Sequence, residues 1–198
     1  MAVLPIRLAG DPVLRQKAKK VPAIDASIQK LIDDMIETMR DAPGVGLAAN
    51  QVGVPLRVVV IEVPKAEQQE EDEEDARAAE RPDEWELYTL INPQIVKRSG
   101  ERKLDEGCLS VPGYKAQTPR SVNVTVKALD RTGKEVRIKA ENSLLAEALE
   151  HEIDHINGIL YIDHLDSIDE LVRLTNDGDD QEGATAVSED AVRSRSGR

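Results

Sequence analysis

The sequence predicts an α+β fold built on mixed or antiparallel strands. Two segments carry a helical period, one ahead of the strands and one behind them. The segments between them alternate or run apolar as strands do. No strand–helix–strand unit repeats, which separates this chain from a parallel α/β architecture.

In chain order, GDPVLR at 10–15 reads as a turn. Asp25 is placed to cap a helix that reaches about Arg40. Its apolar positions Ile28, Leu31, Ile32, Met35, Ile36 and Met39 recur at the helical period. Asp41-Ala42-Pro43-Gly44 ends it. GVGLAANQVG, 44–53, is too rich in glycine for either regular element. RVVVIEV, 57–63, is a strand rich in β-branched residues, and ELYTLIN, 86–92, is a second. The acidic stretch 65–86 is therefore a long connection between strands. EGCLSVPG, 106–113, has the composition of a turn. NVTVKALD (123–130) and KEVRIKA (134–140) flank Asp-Arg-Thr-Gly as a hairpin. Asn142 or Ser143 caps a second helix, LLAEALEHEIDHIN, which Gly158 stops. From Asn176 onward neither periodicity nor apolar mass remains, and the segment reads as a disordered tail.

The length of 198 residues fits one domain with appendages: a domain over 1–175, an acidic insertion at 65–86 and an acidic tail at 176–198. There is no Phe and only four Tyr or Trp, so the core must be aliphatic. Net charge is −12, but 65–86 holds 11 acids against 3 bases and 176–198 holds 6 against 3, leaving −1 for the rest. No basic face of the kind that binds nucleic acid is visible. The longest apolar run, VVVI at 58–61, is too short to span a bilayer. A single cysteine, Cys108, rules out an intramolecular disulfide, and the N-terminus lacks the apolar region of a signal peptide. Cytoplasm is the expected compartment.

HEIDHING, 151–158, carries the chemistry. At 100° per residue His151 and His155 lie about 40° apart on the helix surface, continuing the stripe of Leu144 and Ala148. Two imidazoles on one inward face can chelate an ion. Glu152 sits off that line, where a carboxylate can handle protons of a water. The alternative is a pair of ordinary core or surface histidines. The third ligand is open. The metzincin position is Tyr161, His164 comes three residues too late, and no second ligand helix follows. Cys108 remains, in a turn able to present a thiolate, although a buried small hydrophobe has the same signature. Cys/His/His with an open fourth position is a catalytic geometry, since a structural site usually closes with a fourth protein ligand. In the glycine-rich loop, short side chains at Gly44, Gly46, Ala48 and Ala49 permit close approach of a substrate, with Gln51 as a fixed amide donor; a tight connection alone is the other reading. The bare motif also fits a zinc endopeptidase, or a binding protein stapled by a structural metal.

Together these segments resemble the peptide deformylases. Gly44-Val45-Gly46-Leu47-Ala48-Ala49-Asn50-Gln51 is similar to the family's first motif, Glu106-Gly107-Cys108-Leu109-Ser110 to its second, and His151-Glu152-Ile153-Asp154-His155 to its third. The opening LPI…GDPVLR is similar as well, and the likeness covers roughly 3–63 and 86–165. Glu150 departs from the Gln of many members, and the acidic stretch is longer than expected. The resemblance implies a metal-dependent hydrolase that removes the N-formyl group from the N-terminal methionine of newly made polypeptides. It implies a helix carrying Cys108-partnered His151 and His155 at the centre of the strands, and one divalent ion, Fe2+ first, with Zn2+, Ni2+ or Co2+ possible. Glu152 would move protons, and Gln51 with the Leu109 backbone N–H would hold the oxyanion. Gly44, Val45, Gly46, Leu47 and Ile153 would contact substrate, and Glu106, Arg120 and Asp154 would brace the ligands. The partners implied are N-formylmethionyl nascent peptides, with transient ribosome proximity.

Overall fold

Asp25 accepts hydrogen bonds from the N–H groups of Ser27 and Ile28 and so starts α1, Ala26–Asp41, as the periodicity predicts. The structure, a computed structural model, describes residues 2–65, 84–174 and 181–182. The strands are β1 (Gly46–Ala48), β2 (Val58–Pro64), β3 (Trp85–Ser99), β4 (Arg102–Cys108), β5 (Val111–Arg120), β6 (Asn123–Leu129), β7 (Glu135–Glu141), β8 (Val172–Arg173) and β9 (Gln181–Glu182). The second helix, α2, spans Leu144–Ile156, and the Ser143 side chain accepts from the Ala146 N–H at its start. One sheet has the order β1-β2-β3-β6-β7 and the other β4-β5-β8-β9. Within both, every neighbouring pair is antiparallel.

The first sheet is a middle layer. Val58 and Val60 of β2 join the cluster of Ile32, Met35 and Met39 from α1. Val59, Ile61 and Val63 point the other way, to Leu149, Ile153 and Ile156 of α2. A strand covered on both faces needs apolar residues at successive positions rather than at alternate ones, which explains the unbroken VVVI run. The helix that carries both histidines is thus clamped to the sheet along its length.

Three local expectations change. The glycine-rich 44–53 is not irregular throughout: β1 pairs with β2, and Ala49–Val52 form a turn of 3-10 helix. The strand expected at 86–92 continues past Pro93 to Ser99, with register shifts between Ile91 and Gln94 and between Ile95 and Lys97. An irregular pairing tolerates a proline that a regular ladder would not. The segment 106–113 is the junction of two strands, with a two-residue turn at Leu109 and Ser110.

The acidic connection leaves β2 and enters β3 side by side, where the Lys65 N–H donates to the Glu84 carbonyl at 2.9 Å. Residues 66–83 of the expected insertion lie outside the described residues, as does most of the tail. Within that tail Gln181–Glu182 form a short strand on β8 rather than lacking structure. Among the described residues no helix is long and apolar enough to cross a membrane.

Candidate metal centre and catalytic cavity

His151 and His155 face the same side of α2, one turn apart, with their Nε2 atoms 3.1 Å from each other. Cys108 ends β4, and its Sγ lies 3.2 Å from His155 Nε2. The donor atoms of all three residues fall within 4.8 Å of one another, the one such group among the described residues. Two imidazole nitrogens bound to a single tetrahedral ion stand about 3.3 Å apart. The donor spacing and the donor chemistry therefore fit one divalent cation. Cys108 and His151 also line a cavity of about 460 Å³, and no fourth His, Cys, Asp or Glu joins the donor group among the described residues.

A buried chain of charges orients these donors. His151 Nδ1–H donates to Glu106 Oε1 at 2.5 Å, which leaves Nε2 free to face the donor cluster. Arg120 donates through Nε and Nη2 to both oxygens of Glu106, at 3.1 and 2.9 Å. Its Nη1 reaches Asp154 Oδ2 at 2.5 Å. His164 Nε2 lies 2.9 Å from that same oxygen. Burial works against the Glu106 anion, but the His151 hydrogen bond and Arg120 outweigh it and hold the carboxyl down at about 2. The family resemblance implied that Glu106, Arg120 and Asp154 brace the site; nothing in the sequence hinted that His164 joins them.

Glu152 differs in kind. It is 3 % exposed, and its Oε2 meets no hydrogen-bond partner among the described residues. Burial pushes its carboxyl up to about 7, against the opposing pull of His151. A β-carbon on Gly46 would lie 2.4 Å from Glu152 Oε1. Glycine is required there for strand β1 to pass this close to the carboxylate.

Gln51 is fixed by its carbonyl, which accepts from the Ala48 N–H at 2.8 Å. Its Nε2 is turned towards Ser110 Oγ (3.2 Å) and Cys108 Sγ (3.7 Å). The Leu109 N–H donates to no acceptor among the described residues. Both donors belong to residues that line the cavity. Asn50, which sequence reasoning passed over, is fully buried and donates to the carbonyl of His155, tying the loop to α2. Ser110 is another missed contributor: its N–H donates to Cys108 Sγ at 3.3 Å.

Of the residues expected to contact substrate, Gly44, Val45 and Gly46 line the cavity. Leu47 and Ile153 do not, and this corrects the expectation. Leu47 points from β1 into the α1 cluster, and Ile153 points into the core beneath α2. The walls are instead supplied by Leu144, Glu147 and Ala148 on α2, and by Pro112, Tyr114 and Leu174. The positions on α2 were legible, since they lie three, four and seven residues before His151. Leu174 was not.

Comparison with known proteins gives a consistent picture. The family model described as "Polypeptide deformylase" matches residues 3–170. The chain is 51% identical over 177 residues to the peptide deformylase of Dehalococcoides mccartyi (strain CBDB1), covering 89% of this chain and 95% of that protein. It is 43% identical over 190 residues to that of Rhizobium meliloti (strain 1021), covering 94% and 100%. Among solved structures, a peptide deformylase from Legionella pneumophila superposes with a TM-score of 0.71 at 46% identity, covering 84% of this chain and 88% of that one. A class I type b peptide deformylase from Acinetobacter baumannii, crystallised with Met-Ala-Ser bound, gives 0.71 at 32% identity, covering 83% and 99%. The chain belongs to the peptide deformylase family, metal-dependent hydrolases that remove the N-formyl group from the N-terminal methionine of new polypeptides.

Proposed function

We propose that Cys108, His151 and His155 hold one divalent ion, and that Glu152, Gln51 and the Leu109 N–H carry out deformylation beside it. The observation that carries this reading is the convergence of three donors beside the cavity that also holds Glu152, a buried carboxylate whose Oε2 has no hydrogen-bond partner among the described residues. In the cell the ion is Fe2+, with Zn2+, Ni2+ and Co2+ as substitutes, because a thiolate with two imidazoles suits all four. When bound, it supplies a Lewis acid that acidifies a water and polarises the formyl oxygen.

The protein groups do the rest. Glu152 takes the proton of the attacking water, whose oxygen bonds to the formyl carbon. It then returns the proton to the amine nitrogen as the carbon–nitrogen bond breaks. Gln51 Nε2 and the Leu109 N–H hold the oxyanion, and loss of one such donor typically costs about 2.7–4 kcal/mol in the transition state. Glu106, Arg120 and Asp154 keep His151 in its orientation. Gly44, Val45 and Gly46 border the bound peptide. Formate leaves, and the peptide keeps a free N-terminal methionine. The Acinetobacter relative's complex with Met-Ala-Ser supports a methionyl peptide as the ligand of this cavity.

Residues 1–175 form the catalytic domain in this reading, with 65–86 an insertion and 176–198 an appendage. The substrate places the enzyme in the cytoplasm, near the ribosome from which formylated chains emerge.

The test is anaerobic purification, metal analysis and formate release from a formyl-Met peptide. For Glu152→Ala we expect unchanged metal content and turnover lower by about 10²–10⁴-fold. Full activity in that variant, or no formate from the wild type with any of the four metals, refutes the mechanism.

A further inference from the structure

Two of the large apolar side chains that the protein leaves exposed stand at the same opening. Leu144, the first residue of α2, is 42% exposed, and Leu174, just beyond β8, is 50% exposed. Both line the cavity beside the metal ligands. Leu174 is held there firmly. Leu171 is fully buried against Val111, Tyr161 and Leu165. Val172 and Arg173 pair with Lys115 and Tyr114 of β5. The Leu174 N–H then donates to the Gly113 carbonyl at 2.9 Å. Ordered apolar surface at the rim of a binding cavity marks a place where a ligand covers it.

The occupant follows from the chemistry of the site. The formyl carbon must lie at the donor cluster, and the methionine fills the space nearest to it. Each further residue of an extended peptide advances about 3.3–3.6 Å. The residues after the methionine therefore emerge at this rim.

We infer that Leu174, with Leu144 beside the same opening, forms an apolar lip that selects apolar side chains in the two residues following the methionine. The inference rests on the deformylase reading above. The Glu147 side chain in the same lining acts in the same direction, since a carboxylate there disfavours an acidic side chain close by. Leu174 is thus a specificity-determining residue, contributed by a segment that carries none of the sequence motifs.

The test uses the full-length, nickel-loaded enzyme and three substrates: formyl-Met amide, formyl-Met-Ala-Leu and formyl-Met-Ala-Asp. We expect the wild type to prefer the leucine peptide over the aspartate peptide. Leu174→Ala should lower kcat/KM for the leucine peptide about three- to fivefold, through KM, and affect formyl-Met amide, which has no residue beyond the methionine, clearly less. Leu174→Lys should shift the preference towards the aspartate peptide, which a purely structural role would not do. The same leucine-to-aspartate ratio in all three proteins overturns the lip. So does a parallel fall on formyl-Met amide. No turnover of formyl-Met amide by the wild type removes the deformylase reading itself, and the lip with it.

Discussion

His151 must serve two chemistries at one ring. Its Nδ1–H is committed to Glu106 and its Nε2 faces His155. Without a metal, burial disfavours its charge, but the Cys108 thiol and Glu106 prevail and hold its pKa well above the ordinary histidine value. His155 behaves oppositely: burial, then the charge of His151, keeps it neutral. A metal needs the lone pair that the His151 proton occupies. Uptake at neutral pH must therefore release that proton, and affinity must rise with pH until the free-state titration is passed. We expect the apparent Kd for Zn2+ or Co2+ to tighten by up to about tenfold per pH unit for each proton displaced. Competition with a chelator across pH, with proton release followed in weak buffer, measures this; a pH-independent Kd with no released proton contradicts it. At this scale the Cys108, His151 and His155 donor group was legible because helical spacing and a lone cysteine leave few arrangements. The direction of Leu47 was not legible, because the glycine-rich segment gave no sign of strand β1. In a strand, neighbours face opposite ways, so once Gly46 meets Glu152, Leu47 must face α1.

The helix boundaries were the most legible elements, since each is marked by a side chain that bonds the first free N–H groups. Strand β3 and the loop at 44–53 were less so, because Pro93 and the glycines report what a regular ladder forbids and say nothing of how a register shift or one turn of 3-10 helix accommodates them. Gly158 shows how much a single terminator fixes. Its φ is +80, and an added β-carbon would lie 2.6 Å from the Arg15 carbonyl oxygen. The chain entering the domain therefore presses on the end of the helix that bears both histidines, and the Ala18 N–H donates to the Ile156 carbonyl at 2.9 Å. Gly158→Ala meets both penalties, a left-handed backbone and a backbone clash. We expect it to cost about 1–3 kcal/mol. At about 2–4 °C per kcal/mol for a chain of this size, the loss should be visible in thermal unfolding of the metal-free protein. An unchanged Tm would mean that the contact between residues 15–16 and Gly158 does not constrain the helix.

The whole molecule divides by charge. Nearly all of its net −12 belongs to 65–86 and 176–198, and the remainder carries about −1. That division was visible in the composition, and so was the α+β class. The layering was not, because no pattern in one strand says which helix covers which face. The sheet carries α1 on one side and α2 on the other, and the cavity opens among β1, the β4–β5 junction and α2. The acidic connection departs from elsewhere. Lys65 and Glu84 close its two ends across the β2–β3 pair, with backbone N···O at 2.9 Å and an ion pair at 2.7 Å. Neither residue lines the cavity. That ion pair is exposed on both sides, so it contributes little on its own, and the strand pairing from Val58–Ile91 to Pro64–Trp85 holds the ends together. A short Gly/Ser linker in place of 66–83 therefore leaves the strand register intact. We expect kcat/KM on formyl-Met-Ala-Leu to stay within about twofold of wild type at physiological ionic strength, where charges beyond about 8 Å are screened. The isoelectric point should rise as the acids are removed. A fall in kcat/KM that added salt abolishes would show instead that the acidic segment acts on the site through its field. A fall that salt leaves unchanged would show that it touches substrate.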